Sequence, residues 1–580
     1  MKFRSLLLLL ILFQFAGCEK KEEQKEPLDF TQEEHDFTAD RTTKTIDHIQ
    51  LTEVTNASGI DFHHVNGAFG QKWMPETIGS GGGFLDYNRD GWPDIFLVNS
   101  TFWPGHGSAG TAPGPALYAN NKDGTFTDVS SASGLDFSIY GMGCSFADFD
   151  ADGDLDIYIT AVGNNMLLQN NNGVFRDVAL QMGVTGNDPG LDSFPTWSTG
   201  AAWVDVDRDG WLDLFVDNYV QWSPETDIYT TRDGKTKSYA TPNIYRGETC
   251  RLYRNIRGQG FEDITEEAGI YNQEGKSLGV AIADFNDDNW PDIVVSNDTQ
   301  PNFLYINKGD GSFENRAVVY GIGYDENGRA RAGMGVDIAD VANDNKLAIA
   351  IGNFSQEPLS LYTQTGGDLF QDRAGAAQLT RASLLQLTFG IHFADLDNDG
   401  FVELIAANGH IEPEINGVQQ NITFEQRPQI FYNDRGKFID ISDQVGESFQ
   451  TPLVGRGIAT ADIDRDGDLD LLLTVNGGSP RLYRNDSRSE NNYISLQLRG
   501  KGPNLNALGA KIAVWNDGIR QYRMLNSGSS YLSQSDIGTV IIGTGRHQKA
   551  DSISVTWPAS GKKTLQKDVV SKEVITIVEE

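Results

Sequence analysis

The chain has 580 residues, with 46 Lys and Arg against 81 Asp and Glu, and a formal net charge of −35. That balance excludes a nucleic-acid partner, which needs clustered Lys and Arg to neutralise phosphates. Its 63 glycines, about 11% of the chain, exceed the usual ~7%, as expected where tight turns join many short strands.

In chain order, the first element is an address. Lys2 and Arg4 precede an apolar run from Leu6 to Phe15, too short to span a bilayer at ~20 residues. The run ends Phe15-Ala16-Gly17-Cys18, which resembles the bacterial lipobox, in which the Cys is acylated and becomes the mature N-terminus. An ordinary signal peptide with an incidental Cys is the alternative. Residues 1–18 are therefore expected to be a lipoprotein signal and Cys18 the lipidation site. Residues 19–50 open with Glu19-Lys-Lys-Glu-Glu-Gln-Lys-Glu26, cannot bury a core, and read as a disordered acidic tether. Lys21-Glu22-Glu23 also looks like the acidic export signal of surface lipoproteins in Bacteroidota. The expected location is the bacterial cell envelope, lipid-anchored at the outer membrane and facing either the periplasm or the cell exterior.

From residue 51 a unit repeats. Each copy has a Gly-rich strand, an Asp-rich loop, a strongly apolar strand such as Asp156-Ile-Tyr-Ile-Thr160, a strand ending Leu-Tyr-x-Asn, and a strand of the form Phe-x-Asp-Val/Ile. Four short antiparallel strands make a propeller blade. The loops begin at Asp86, Asp148, Asp205, Asp284, Asp340, Asp395 and Asp462, but a fourth strand follows only the first six. Leu51-Thr-Glu-Val-Thr55 matches Phe126-Thr-Asp-Val-Ser130, so the N-terminal segment is predicted to supply the seventh blade's missing outer strand and remove an exposed sheet edge. The predicted fold is all-β: a seven-bladed propeller over 51–486, closed by an N-terminal strand, then a small β-sandwich over 487–580, where alternating strands such as Ile494-Ser-Leu-Gln-Leu498 recur.

The loops carry the chemistry. Oxygen ligands at positions 1, 3, 5 and 9, without His or Cys, suit Ca²⁺. They are Asp86, Asn88, Asp90 and Asp94; Asp148, Asp150, Asp152 and Asp156; Asp205, Asp207, Asp209 and Asp213; Asp284, Asn286, Asp288 and Asp292; Asp395, Asp397, Asp399 and Glu403; and Asp462, Asp464, Asp466 and Asp470. Position 6 is Gly except at Asn289 of the fourth loop, and Asn tolerates the left-handed backbone needed there. Two such carboxylates ~4 Å apart repel by about 4 kcal/mol at an effective dielectric of ~20, a cost hard to repeat in six turns without a cation. In the fifth loop Ala342 and Ala348 replace two ligands, so the loop at Asp340 is expected to be empty or weak. About six calcium sites are predicted. Cys144 and Cys250 either pair as one disulfide in an oxidising compartment or are small buried residues.

These residues resemble the FG-GAP (VCBS) repeats of integrin α-chain heads and bacterial surface proteins. His63-His-Val-Asn-Gly67, Asn297-Asp-Thr-Gln-Pro-Asn302, Gly328-Arg-Ala-Arg-Ala-Gly-Met-Gly335 and Asn408-Gly-His410 look like bacterial members of the cartilage acidic protein family. Ala507-Leu-Gly-Ala-Lys511, Ser530-Tyr-Leu-Ser-Gln534 and Val555-Thr-Trp-Pro558 are similar to the ASPIC/UnbV domain. The resemblance implies a secreted or membrane-anchored calcium-binding propeller without a well-defined catalytic activity.

In this strand order the Asp loops share one face, and the irregular polar segments collect on the other. His64, Glu76, Asp298, Asn302, Arg329, Arg331, Asn353, Glu357 and His410 are the candidate ligand residues there, with Trp73, Trp103, Trp197 and Trp222 nearby and a long insertion from Asn218 to Cys250. Long loops on a rigid scaffold are where binding residues concentrate; the bland alternative is that these side chains satisfy loop backbone and each other. The expected function is a binding or adhesion module for a protein or glycan ligand. An extracellular carbohydrate-active enzyme, or an accessory subunit of an envelope complex, is the alternative. The sequence has no Gly-x-Ser-x-Gly elbow, zinc helix or phosphate loop.

Overall fold

The computed structural model describes residues 45–107, 112–187, 195–232 and 234–580. The lipobox, Cys18 and residues 19–44 of the expected tether lie outside the described residues.

Among the described residues, seven four-stranded antiparallel sheets follow the predicted repeat. The first contains Gly82–Leu85, Asp94–Leu97, Ala116–Asn120 and Phe126–Asp128. The innermost strands, in order, are Gly82–Leu85, Gly141–Ala147, Ser198–Val204, Ser277–Ala283, Val336–Ala339, Thr388–Ala394 and Gly455–Ala461. Each packs beside the next, and the last packs against the first. Second strands such as Asp156–Ala161 are buried at every position, whereas fourth strands such as Phe126–Asp128 bury only their aromatic residue. The core therefore lies between sheets, and the rim alternates.

Closure occurs as predicted. Leu51–Glu53 pairs antiparallel with Arg481–Asn485, with Leu51 opposite Asn485 and Glu53 opposite Tyr483, and Val54 N–H donates to the Leu482 carbonyl at 2.8 Å. The folded unit nonetheless starts earlier than 51. Ile46 and Ile49 are buried against the sixth and seventh blades, and the carbonyls of His48 and Gln50 accept from Arg488 and Asp486 N–H, each at 2.8 Å. The compact unit runs from Ile46 to Glu580, five residues ahead of the expected start at 51. A chain lacking residues 46–54 is expected to unfold at lower temperature and to self-associate, because the last sheet keeps an open edge; light scattering alongside a thermal melt reads both.

A second system of seven bonds reinforces the ring. In six blades an Asn at or next to the end of the third strand, and in the fifth a Gln, bonds its own Asp loop and reaches the neighbouring one. Asn120 donates to Ile463 O at 3.0 Å, Asn170 to Tyr87 O at 2.9 Å, Asn255 to Phe149 O at 2.9 Å and Asn307 to Val206 O at 2.8 Å. Asn433 reaches Val341 O and Asn485 reaches Leu396 O, both at 2.8 Å, and in the fifth blade Gln364 reaches Phe285 O at 2.8 Å. The recurring Asn of Leu-Tyr-x-Asn is thus a blade-to-blade tie.

The C-terminal domain has two sheets. Ile519–Met524, Lys511–Asn516, Lys549–Thr556 and Lys563–Val570 form one; Val540–Gly545, Asn492–Arg499 and Val574–Val578 form the other, with the last pair parallel. Ile494, Leu496, Ile512, Val514, Ile553, Val555 and Trp557 are buried in a core shared with the first three blades. The expected small sandwich is therefore seated on the ring.

Between Met524 and Val540 the domain sends a segment into the propeller axis, where it meets all seven innermost strands. Trp203 N–H donates to Ser527 Oγ at 2.6 Å and Val336 N–H to Ser530 O at 2.9 Å. Cys144 N–H donates to Leu532 O at 3.2 Å and Phe84 N–H to Gln534 O at 3.1 Å. Ile458 N–H donates to Ser530 Oγ at 3.2 Å, and Tyr531 lies edge-on to Phe389 at 5.0 Å. The fourth blade closes on Gly528, where a Cβ would lie 3.0 Å from Val280 O. This plug explains glycines that are poor strand formers: a Cβ at Gly81 would lie 2.1 Å from Leu532 O, and one at Gly83 2.2 Å from Gln534 O.

Candidate metal loops and the two faces of the ring

Each Asp loop is shaped by its own backbone. In the second, Asp148 accepts from Asp152 and Gly153 N–H at 3.1 and 2.9 Å, and Asp156 accepts from Phe149 and Asn170 N–H at 3.1 and 2.7 Å. Position 6 is left-handed throughout, with φ of 91° at Gly153 and 69° at Asn289, as expected for the Asn substitution.

Four loops gather three carboxylates whose oxygens lie within 4.8 Å of one another: Asp148, Asp150 and Asp156; Asp205, Asp207 and Asp213; Asp395, Asp397 and Asp399; Asp462, Asp464 and Asp470. Each cluster could hold a metal ion. In the first and fourth loops Asn88 and Asn286 stand at position 3, so Asp86, Asp90 and Asp94, and Asp284, Asp288 and Asp292, share the turn with an amide instead. The fifth loop keeps the turn through Asp344 and Asn345 N–H to Asp340, while Lys346 pairs with Asp344 at 2.8 Å. It supplies its own positive charge where Ala342 and Ala348 offer no oxygen.

Two observations test whether these residues fit a cation. Asp205 Oδ1, Asp395 Oδ1, Asp462 Oδ1 and Asp464 Oδ1 are buried and have no hydrogen-bond partner. Burial also pushes Asp148, Asp205 and Asp462 up to about 7 and Asp94 and Asp292 up to about 8, and holds Asp156, Asp213 and Asp470 well above the carboxylate range. Acids held this far above their usual range need a positive charge nearby to ionise. An oxygen-only set of this kind fits a hard divalent cation.

The C-terminal domain lies over these loops. Lys511 Nζ binds Asp284 Oδ2, and Arg523 Nη2 lies 3.9 Å from Asp395 Oδ2. A cavity of about 180 Å³ remains between this domain and the ring. Its His392 ring lies 2.8 Å from Asp337, 3.0 Å from Thr460 Oγ1 and 3.3 Å from Ser535 Oγ, tying three blades to the plug.

On the opposite face the bland alternative prevails for most candidates. Asn302 accepts from Asn297 N–H and donates to Ile322 O; Asn353 donates to Pro358 O at 2.7 Å. Glu357 accepts from Ala332 N–H at 2.8 Å. Arg331 pairs with Asp372 at 3.0 Å and Glu326 at 3.1 Å, and neighbouring Arg329 is exposed. His64 and His410, 1% and 0% exposed, accept from Gly477 and Glu412 N–H at 3.1 and 3.0 Å, and burial pushes both down to about 3. They are neutral acceptors in the scaffold.

The blade-three insertion covers Glu76, Asp298 and Glu412. Tyr239 OH donates to Glu76 at 2.8 Å, Tyr239 N–H donates to Glu412 at 3.0 Å, and Lys72 bridges Glu412 and Glu414. Tyr219 OH donates to Asp298 at 2.6 Å. Trp197 and Trp222 are fully buried and Trp103 nearly so; only Trp73 is half-buried. Trp73, Trp103 and Trp222 pack together with ring centroids 4.9 to 5.8 Å apart, so these indoles form a lid core and leave no broad sugar-stacking platform. Glu76 Oε1 stays without a partner, and burial pushes the acid up to about 7.

Cys144 and Cys250 are free and buried, each with its thiol pushed up by burial. Both are expected to react with a thiol reagent only after unfolding, and a quantitative thiol titration with and without denaturant checks this.

Residues 86–159 and 284–351 match the profile of the FG-GAP-like repeat, and residues 500–580 match that of ASPIC and UnbV. Among curated proteins the chain is similar to cartilage acidic protein 1 of Homo sapiens, 27% identical over 340 residues, covering 57% of this chain and 48% of that protein. The Xenopus tropicalis counterpart is 26% identical over 326 residues, covering 55% and 47%. The chain thus spans about half the length of the curated relatives it matches. Among solved structures it aligns with BBS1N in complex with ARL6DN (TM-score 0.40, 10% identity, 71% of this chain and 95% of that one). It also aligns with an Agrocybe aegerita lectin recognising non-reducing terminal N-acetylglucosamine (TM-score 0.35, 13% identity, 73% and 92%). Two stretches of the chain are thus FG-GAP-like and its last 81 residues are similar to ASPIC and UnbV, within a chain similar to cartilage acidic protein 1 over 57% of its length.

Proposed function

We propose that this chain is a calcium-stabilised, extracytoplasmic binding module, tethered to a bacterial outer membrane through Cys18, that presents the face opposite its metal loops to a protein or glycan. The observation that carries the calcium reading is the four carboxylate clusters, three of which hold a buried oxygen without a hydrogen-bond partner. FG-GAP-like repeats and similarity to a protein named for cartilage support an extracellular or envelope setting. No helix among the described residues is long and apolar enough to cross a membrane.

Apart from exposed Arg329, the opposite-face candidates are buried or half-buried, which moves the proposed contact outward to the blade-one loops and the blade-three insertion. There Phe69 stacks on exposed His106 at 3.9 Å, and Ile228 and Tyr229 are 43% and 62% exposed. Exposed aromatic and aliphatic side chains of this kind suit a binding surface. Glycan arrays and pull-downs from envelope extracts, in calcium, should show capture that Tyr229→Ala and His106→Ala weaken. Capture indifferent to both variants would defeat the placement. Cleavage of a captured glycan by the purified protein would instead establish the carbohydrate-active alternative.

A further inference from the structure

The sixth metal loop differs from the other three clusters in what surrounds it. Asp395, Asp397 and Glu403 are 2%, 1% and 0% exposed. In the other clusters, position 5 (Asp152, Asp209, Asp466) lies exposed to solvent. Asp395 Oδ1 is buried without a partner and belongs to three carboxylates with oxygens within 4.8 Å of one another.

The enclosure is built by chain from outside the repeat. At Gly543 a Cβ would lie 2.3 Å from Asp395 Oδ2, so that strand seals the loop's entrance. Arg523 donates to Gly400 O at 3.3 Å and lies 3.9 Å from Asp395, adding positive charge to a loop with four carboxylates, more than one divalent cation neutralises. Ser489 Oγ and Asn491 Nδ2 both donate to Asp397 O at 2.8 Å. His48, from the segment preceding the closing strand, lies 2.5 Å from Asp397 Oδ2. These groups crowd the loop from outside the repeat, so exchange of an ion held there would be coupled to local opening of the domain interface.

We infer that the sixth loop holds an occluded divalent cation that fastens the C-terminal domain to the ring and exchanges much more slowly than ions in the exposed loops. This rests on the calcium reading above, and calcium itself is the probe. Full-length folded protein is loaded with radioactive ⁴⁵Ca, diluted into excess EDTA, desalted at intervals and counted. The expected result is about one ion per chain retained at least 10-fold longer than the rest. Asp397→Asn should abolish the slow phase, and a Ser489→Ala/Asn491→Ala double variant should shorten it without changing the number of ions bound at equilibrium. Full loading followed by release in a single phase overturns the inference and leaves the calcium reading intact, as does a slow ion that survives Asp397→Asn. Failure to load any calcium overturns both.

Discussion

Stripping calcium is expected to lower the melting temperature by roughly 10 °C at neutral pH, and by less at pH 5. An ion at 100 times its dissociation constant stabilises by ~2.7 kcal/mol per site, so the four clusters together contribute on the order of 11 kcal/mol. Unfolding entropy of ~2.1 cal/mol/K per residue makes a degree equivalent to about 1 kcal/mol for a folded unit running from Ile46 to Glu580. The pH term has a definite sign. Burial raises Asp148, Asp205 and Asp462 to about 7 and Asp94 and Asp292 to about 8, against ~3.9 in an unfolded chain. Between those values the metal-free native state binds more protons than the unfolded state. Its stability is therefore greatest below pH ~4 and is lost as pH rises through 7 to 8. Calcium competes with those protons, so the gap between loaded and stripped protein widens with pH. Calorimetry in calcium and in EDTA at pH 5, 6.5 and 8 measures it. Coincident melts, with metal removal verified, would rule out a stabilising role for the ions.

Tyr531→Ala is expected to be the most damaging single change in the plug, costing ~3–5 kcal/mol as for other buried aromatics. Tyr531 is 0% exposed, and its hydroxyl donates to Ile78 O at 3.2 Å. Its neighbour Arg456 is also buried, stacks 3.8 Å over Phe389 and donates only to carbonyls, those of Thr77, Gly409 and Gly455. A cavity beside an arginine with no carboxylate partner invites water into the axis. The melt should fall by several degrees and split, with the C-terminal domain released first and cut earlier in limited proteolysis. Tyr531→Phe, which keeps the ring and loses one hydrogen bond, should cost only about 1 kcal/mol. A single unshifted transition in Tyr531→Ala would show that the plug adds nothing to the fold.

The ring was legible in the residues because its signals are local and repeated. The Asp and Gly spacing, the apolar second strand and the missing seventh outer strand together placed the segment from Leu51 on the seventh blade, where it lies. What escaped were contacts between elements that each look ordinary alone. Ser530-Tyr-Leu-Ser-Gln534 reads as a loop until it is set against Gly81, Gly83, Gly143, Gly335 and Gly457, glycines that face it from four different blades. Their recurrence in strands that should avoid Gly was the available clue. His64, Glu76 and His410 looked like a converging site because polar residues on loops usually face water. The insertion carrying Tyr239 removes that water. Ile46 and Ile49 were lost in a charged stretch too short on apolar residues to suggest order.

Leu51–Glu53 is among the first folded pieces to be made, yet its partner ends at Asn485, and one bond of the closure, Thr52 to Asp486, spans 434 positions. At ~5–20 residues per second of synthesis, that partner emerges roughly 20 to 90 s later. Throughout that interval the N-terminal ribbon has no mate, and the sixth and seventh blades have not yet received Ile46 and Ile49. The ring can only be completed as a final act, so a nascent or translocating chain must be shielded from pairing with a neighbour's unfinished blade until its own end arrives.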